Sequence, residues 1–300
     1  MSAEGVGSLI LVATPIGNLG DLSPRAVEVL RSADAIACED TRHTRKLLSA
    51  AAIDAKRLLA VHEHNEHHAA DGIVELLRRG QTVALVTDAG MPAVSDPGER
   101  VVAAVVAAGF DVTCIPGPSA ALTALAVSGL PTERFFFEGF LPVKGAERKA
   151  RLALVAASVE TVIMFEAPHR LLRTLTDLST VCGGSRLVSV SRELTKRFEE
   201  TQRGTLETLL GAHQLVDTAE PRGEHVIVVA GRPLADSATG RDLTDDAVMA
   251  MLRMELTSGA RTKAAVDVVS SATGLAHRHV YALAVRAKAT ENSPTILGGR

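Results

Sequence analysis

Three hundred residues, 46% of them hydrophobic, are enough to bury a full core, and the length favours two domains or two plus a small appendage. A net charge of −3 excludes a globally cationic nucleic-acid binder, so any such partner has to be met by local basic patches. No apolar stretch reaches spanning length, and "MSAEGVGS" has no basic region ahead of the first apolar run, which predicts a cytoplasmic chain.

Along the chain, apolar runs alternate with helical patterns. Strands are predicted over 9–13, 35–38, 58–61, 83–87 and 112–115, with helices such as 24–32 and 100–108 between them. This βαβ order implies a largely parallel sheet. A second series has strands over 135–138, 162–166, 187–191 and 226–230 and helices over 148–157 and 170–182. The connection is placed at 119–131, giving α/β domains over 1–118 and 119–232. Then "GRPLADSATGRD" reads as a linker, 243–256 as a helix in a module over 241–290, and 291–300 as a disordered tail. Cys38, Cys114 and Cys182 lie in apolar runs without metal-ligand spacing and read as buried thiols of a reducing compartment.

Ligands of parallel sheets sit at the strand ends, and here those ends are rich in turn chemistry: "TPIGNLGD", "EDTRHT", "HEHNEHH", "DAGMPAVSDPG" and "PGPSAA" form one rim. The first lacks the glycine spacing of a dinucleotide fingerprint, which disfavours a nicotinamide enzyme. The fourth has no lysine between Gly90 and Gly98, so it is no P-loop; its charges are Asp88, Asp96 and Glu99. Such a loop suits a ligand with hydroxyls, amines or positive charge better than a polyphosphate, the alternative being an ordinary turn.

Taken with "GLPTERFFFEGFLP", "FEAPHRLL", "RELTK" and "GEHVIVV", these motifs run in order over roughly residues 8 to 290, and the chain resembles the RsmI-type methyltransferases of small-subunit ribosomal RNA. The resemblance implies an α/β tetrapyrrole-methylase (class III methyltransferase) fold. Two α/β domains would enclose S-adenosylmethionine in the cleft between them, with a small helix-turn-helix-like C-terminal module. It implies 2′-O-methylation of a cytidine, position 1402, in the decoding region of 16S rRNA within the 30S subunit, by a homodimer without a metal. By resemblance, Pro15, Asp88, Gly90, Met91, Pro92, Val94, Ser119 and Ala120 touch the cofactor from the first domain, and Phe165, Ser191 and His225 close over it from the second. Met91 stands where the family usually has Thr, and His225 where it has Met.

A sulfonium, a ribose diol and an adenine want acceptors and tight backbone approach, and a lysine would repel the sulfonium. Methyl transfer needs in-line orientation and a dry cleft, and something must take the 2′-hydroxyl proton. The candidates are Asp40, Glu166 and Glu193, with Arg42, Arg192 and Lys196 available to hold phosphate or lower the hydroxyl's pKa. The alternative is that Glu39, Asp40 and Arg42 merely cap and pair at a helix start.

Other signals have blander readings. His62, His64, His67 and His68 lack a completing acidic or thiol set and read as a surface or RNA-facing loop rather than a zinc site. "FFFEGF" reads as core, with Phe140 bordering the cleft. Lys144, Arg148, Lys149 and Arg151 form one basic patch. Arg261, Lys263, Arg278, Arg286 and Lys288 form another, with Asp267 alone opposing; either tracks phosphates or is a solvated face. Ser270, Gly274, Leu275, Val280 and Leu283 have helix-turn-helix spacing, so a metabolite-sensing DNA-binding regulator is a competing hypothesis. A tetrapyrrole or other small-molecule methylase of the same fold is the third.

Overall fold

The computed structural model describes residues 7–54, 56–215, 223–233, 244–257, 260–273 and 275–291. They fall into two compact units, Met1–Gly231 and Arg232–Arg300.

The first unit opens with strands β1 (Ser8–Val12), β2 (Ala35–Cys38), β3 (Arg57–Ala60), β4 (Thr82–Leu85) and β5 (Asp111–Ile115). The helices α1 (Pro24–Ser32), α2 (Thr41–Ala50), α3 (Glu66–Arg78) and α4 (Glu99–Ala107) alternate with them. All pairings are parallel, in the order β3-β2-β4-β1-β5, so every strand ends on the same edge. Both faces of this sheet are covered, which is why its strands read as unbroken apolar runs. Leu9, Val83 and Leu85 pack with Ile73 and Val101 on one side, while Ile36, Ala84 and Val86 pack with Leu30 and Leu48 on the other. α1 starts where its sequence says: Ser23 accepts from Ala26 N–H and Pro24 fills a position whose own N–H is not needed.

α5 (Ala120–Ser128) occupies the stretch read from sequence as a connection. It leads to β6 (Phe135–Phe140), α6 (Gly145–Ala157), β7 (Thr161–Glu166), α7 (Leu171–Cys182), β8 (Leu187–Arg192), β9 (Glu200–Thr205), α8 (Leu206–Leu215) and β10 (His225–Val229). Their sheet has the order β6-β7-β10-β8-β9. It is mixed: β6 is parallel to β7, and the other pairs are antiparallel. One face carries Val162, Met164, Val190 and Ile227 against Leu152, Leu171 and Leu175. The other carries Ile163, Val226 and Val228 against Ala124 and Leu125 of α5.

Three sequence expectations are corrected. "FFFEGF" is an edge strand rather than core, and Phe135, Phe136 and Phe140 are exposed because β6 has a neighbour on one side only. Cys114 is exposed, not buried, because β5 is likewise an edge. The first basic patch is divided. Arg148 is 3% exposed and donates to Asp177 Oδ2 at 2.8 Å, to Thr174 Oγ1 at 2.9 Å and to the Pro142 carbonyl at 3.0 Å, and Arg151 pairs with Glu138, leaving Lys144 and Lys149 on the surface.

The second unit contains α9 (Asp245–Thr257), α10 (Thr262–Thr273) and α11 (His277–Glu291). Val266, Val269, Leu275, Val280 and Leu283 close on Val248 and Leu252, so the helices supply their own core. Here too Asp267 is not the sole counter-charge: Arg286 lies 3.7 Å from Asp245, and His277 and His279 face Asp267 and Asp245. Gly274, most of the linker, the tail over 292–300 and the Lys288 side chain lie outside the described residues.

Arg148 ties α6 to α7 with almost no access to water. Arg148→Ala should cost about 3 kcal/mol in urea unfolding, because it strands the acceptors that the guanidinium satisfies. A loss below about 0.5 kcal/mol, the size of a surface effect, would contradict the buried-pair role.

Candidate active site

Within the first unit, a cavity of about 300 Å³ opens between the strand ends of the parallel sheet and one face of the mixed sheet. Four of the five rim loops reach it. Ile16 follows β1, Glu39 follows β2, the loop from Asp88 to Asp96 follows β4, and Ser119 and Ala120 begin α5. The mixed sheet adds Phe137, Phe140, Phe165, Glu193, Lys196 and His225. The remaining rim loop works from behind: Glu66, 7% exposed, accepts from Gly98 N–H at 2.8 Å and Arg100 N–H at 2.9 Å and so caps α4. Its histidines are exposed, and among the described residues no group of three or more His, Cys, Asp or Glu is arranged to hold a metal ion.

The "DAGMPAVSDPG" loop is held in an unusual backbone shape. Gly90 has φ +91° and pairs with Thr14 in both directions, Thr14 N–H to Gly90 O at 2.9 Å and Gly90 N–H to Thr14 O at 3.1 Å. Ala93 and Ser95 take left-handed φ values of 67° and 62°, a strain that concentrates at binding sites. The "RELTK" loop opposite does the same at Glu193 and Thr195, with φ 51° and 65°. The two sheets touch here, since a Cβ at Gly17 would stand 2.5 Å from Lys196 Cγ.

Charge defines the cavity. Among the described residues, six carboxylates line it, those of Glu39, Asp88, Asp96, Glu166, Glu193 and Glu224, against one Lys or Arg, Lys196, which is itself paired with Glu193 at 2.9 Å. Burial pushes the Asp96 carboxyl up to about 6, and the neighbouring Glu39 adds to the shift. Burial pushes His225 down to about 4, so its ring is neutral near pH 7. His225 is 2% exposed, and among the described residues its Nδ1 has no side-chain partner; the backbone of Gly223, two residues before it, is the polar group that faces the ring.

The site residues expected from sequence separate into two groups. Asp88, Gly90, Met91, Val94, Ser119, Ala120, Phe165, Glu166, Glu193, Lys196 and His225 line the cavity. Pro15, Pro92 and Ser191 do not; Ser191 is buried in β8 against Thr201, 3.0 Å between hydroxyl oxygens. Nor do Asp40, Arg42 and Arg192. Asp40 is the N-cap of α2, accepting from Arg42 N–H at 2.7 Å and from its guanidinium at 2.8 Å, which holds its carboxyl far below the usual range. Arg192 pairs with Glu200 of β9 at 2.6 Å. Glu166 lines the cavity with its carboxylate engaged by Arg170 at 3.0 Å, Thr174 Oγ1 at 2.5 Å and Ala167 N–H at 2.9 Å. Glu39, Glu224, Phe137 and Ile16 were not among the expected site residues. Glu39 and Glu224 are legible only as charges beside motif residues.

Comparison with known proteins places this geometry. Residues 8–210 match the family described as Tetrapyrrole (Corrin/Porphyrin) Methylases. The chain is 46% identical to the Ribosomal RNA small subunit methyltransferase I of Xylella fastidiosa (strain Temecula1), covering 92% of this chain and 98% of that one. It is 44% identical to the protein of the same name from Synechocystis, covering 95% and 99%, and 45% identical to that of Escherichia coli O157:H7, covering 83% and 86%. Among solved structures, uroporphyrin-III-C-methyltransferase from Thermus thermophilus has a TM-score of 0.53 at 21% identity, covering 74% of this chain and 93% of that one. Diphthine synthase has a TM-score of 0.56 at 17% identity, covering 75% and 90%. The structural likeness establishes the fold.

Because Asp96 is raised above its ordinary value, its ionised form costs stability above about pH 6, and that cost fades as pH falls toward 3.8. Asp96→Asn should therefore raise the Tm at pH 8 by about 2–4 °C, with the gain shrinking toward pH 4. A change independent of pH in thermal melts would show that charge at this position is not the cause.

Proposed function

The chain belongs to the tetrapyrrole-methylase family and, within it, to the ribosomal RNA small subunit methyltransferase I proteins, and from that premise we propose the following reaction. It methylates the 2′-oxygen of cytidine 1402 in 16S rRNA, with S-adenosylmethionine as donor. The observation that carries the reading is the acidic cavity, lined among the described residues by six carboxylates and by Lys196, which is already paired with Glu193. A carboxylate-rich, partly desolvated site favours a sulfonium over any phosphate-bearing cofactor.

The residues present fit that donor. Gly90, with its positive φ, lets backbone come close; Asp88 and the Ser119 hydroxyl offer polar contacts to hydroxyl groups; and Met91, Val94, Ala120 and Phe165 supply apolar walls. When bound, S-adenosylmethionine supplies an electrophilic methyl group on a positively charged sulfur. The chain's own contribution is orientation and exclusion of water from the reacting centre. Of the three carboxylates considered as proton acceptor, Asp40 is a helix cap and Glu166 is fully engaged in the core. Glu193 lines the cavity on a strained loop beside Lys196, so it takes the role of acceptor, with Lys196 holding it in place. Arg42 and Arg192 then act through Asp40 and Glu200 rather than on the reacting atoms.

The substrate is rRNA in the 30S particle and the working form a cytoplasmic homodimer with no metal. Arg261, Lys263 and Arg278, exposed on the helical module, give salt-dependent affinity for the RNA backbone. Within the first unit we take 1–118 and 119–232 as its two α/β halves, each built around one of the two sheets.

Incubating the protein with methyl-labelled S-adenosylmethionine and unmodified 30S subunits should place the label on the ribose of cytidine 1402. Glu193→Gln should lower turnover by about 10²–10⁴-fold while donor affinity, read by calorimetry, changes little. Label on a tetrapyrrole and none on the 30S particle would overturn the substrate. A parallel loss of donor affinity would move Glu193 to the cofactor site.

A further inference from the structure

β6 carries an irregularity that changes which way its last aromatic points. Phe137 pairs with Ile163, but the next register partners are Gly139 and Met164, then Phe140 and Phe165, so Glu138 is an extra residue in the strand. An unbroken period of two would put Phe137 and Phe140 on opposite faces. With the bulge, both rings meet Phe165 edge-on, at centroid distances of 5.1 and 5.5 Å, on the face that lines the cavity.

The bulge is built on purpose-made contacts. Glu138, its side chain 1% exposed, turns to the other face and binds the Arg151 guanidinium through both oxygens, at 2.5 and 2.8 Å. Gly139 has φ +70°, and a Cβ there would stand 3.2 Å from Ser95 Oγ in the loop after β4. A side chain at 139 would therefore press on the cofactor loop, whereas glycine lets β6 lie against it. The outcome is a Phe140 ring that lines the cavity and is 52% exposed, outside the half-buried Phe137 and Phe165.

We propose that Phe140 is the platform on which the base of the target nucleotide stacks, fixing the ribose over the donor. The inference rests on the RNA-methylation reading above and deepens it. A 2′-oxygen cannot be aligned by contacts to its own small hydroxyl alone, and a base splayed out of its strand offers a π face to any exposed aromatic ring. Phe140 is the most exposed of the three rings, which leaves its face open to an incoming base, whereas Phe137 and Phe165 are half-buried. Stacking is tolerant of base identity, so Phe140 supplies position and leaves sequence choice to other contacts.

The test uses the full-length protein with 30S subunits. Phe140→Leu keeps an apolar contact with Phe165 and removes the π face; Phe140→Trp keeps and enlarges that face. Phe140→Leu should raise KM for 30S by on the order of 10-fold, leave the calorimetric Kd for S-adenosylmethionine within about 2-fold of wild type, and be rescued by Phe140→Trp. An unchanged KM in Phe140→Leu overturns the proposal. So does a matching loss of donor affinity, which would assign the ring to the cofactor. Wild-type protein that transfers no methyl group to 30S would remove the underlying reading and this inference with it.

Discussion

The crowding of carboxylates at one edge of a parallel sheet is the constraint around which this molecule is arranged. Parallel pairing sends β1, β2, β4 and β5 out on the same edge, so the loops after them must share one small space. Glu39, Asp88 and Asp96 meet there, and like charges at partly desolvated positions repel. The fold offsets part of this cost locally. Thr87 Oγ1 donates to Glu39 at 3.1 Å and Asp40 N–H to Asp88 at 3.3 Å, while Asp96 takes up a proton more readily than an ordinary aspartate. What remains is a negative potential fixed before any ligand arrives, which is how a site favours a cation without reorganising to receive it.

Holding that arrangement requires stiffness in the loops. Glu66 secures the far end of the loop after β4, Thr14 its near end, and the mixed sheet answers with a second strained loop at Glu193 and Thr195. Strain of this kind persists only where surroundings over-determine it, and here the first loop is clamped to Glu66 and Thr14 while the second is closed by Thr195 N–H on Glu199 at 2.7 Å and Lys196 N–H on the Glu193 carbonyl at 3.0 Å. The Glu138–Arg151 pair plays the same part for Phe140. Mixed-sheet residues therefore act as a fitted wall, and His225 and Phe165 meet the first sheet's loops across the cavity.

Much of this was legible in the sequence, and the omissions share a cause. The central strands β1, β2 and β4 follow from apolar runs, because a strand covered on both faces has little other composition available, and Gly and Pro mark the loops after β1, β4 and β5. The motif order points to the family, and through it to half of the cavity lining. β9, "ETQRGT", was missed because an edge strand paired through polar side chains has the composition of a loop. Phe135 and Phe136 were misplaced because hydrophobicity does not distinguish a central strand from an edge. Arg148 and Arg151 read as a surface patch because their partners, Asp177 and Glu138, lie 29 and 13 residues away. Asp40 and Arg42 admit both a cap-and-pair reading and a chemical one, since two residues of spacing serve either, and the structure places them at the start of α2 as cap and pair.

Solved structures of the same fold carry names as different as uroporphyrin-III-C-methyltransferase and diphthine synthase, so the shared scaffold leaves the substrate to the rim. What it should share is the treatment of the donor's charge, and that is the central claim here. The direct test is calorimetric titration with S-adenosylmethionine and with S-adenosylhomocysteine, its uncharged thioether counterpart, at pH 8 and at pH 5. If the carboxylates hold the sulfonium, acidification through the Asp96 value of about 6 should weaken S-adenosylmethionine more than S-adenosylhomocysteine. Identical pH dependence for the two ligands would show that the negative cavity does not recognise the charge on sulfur.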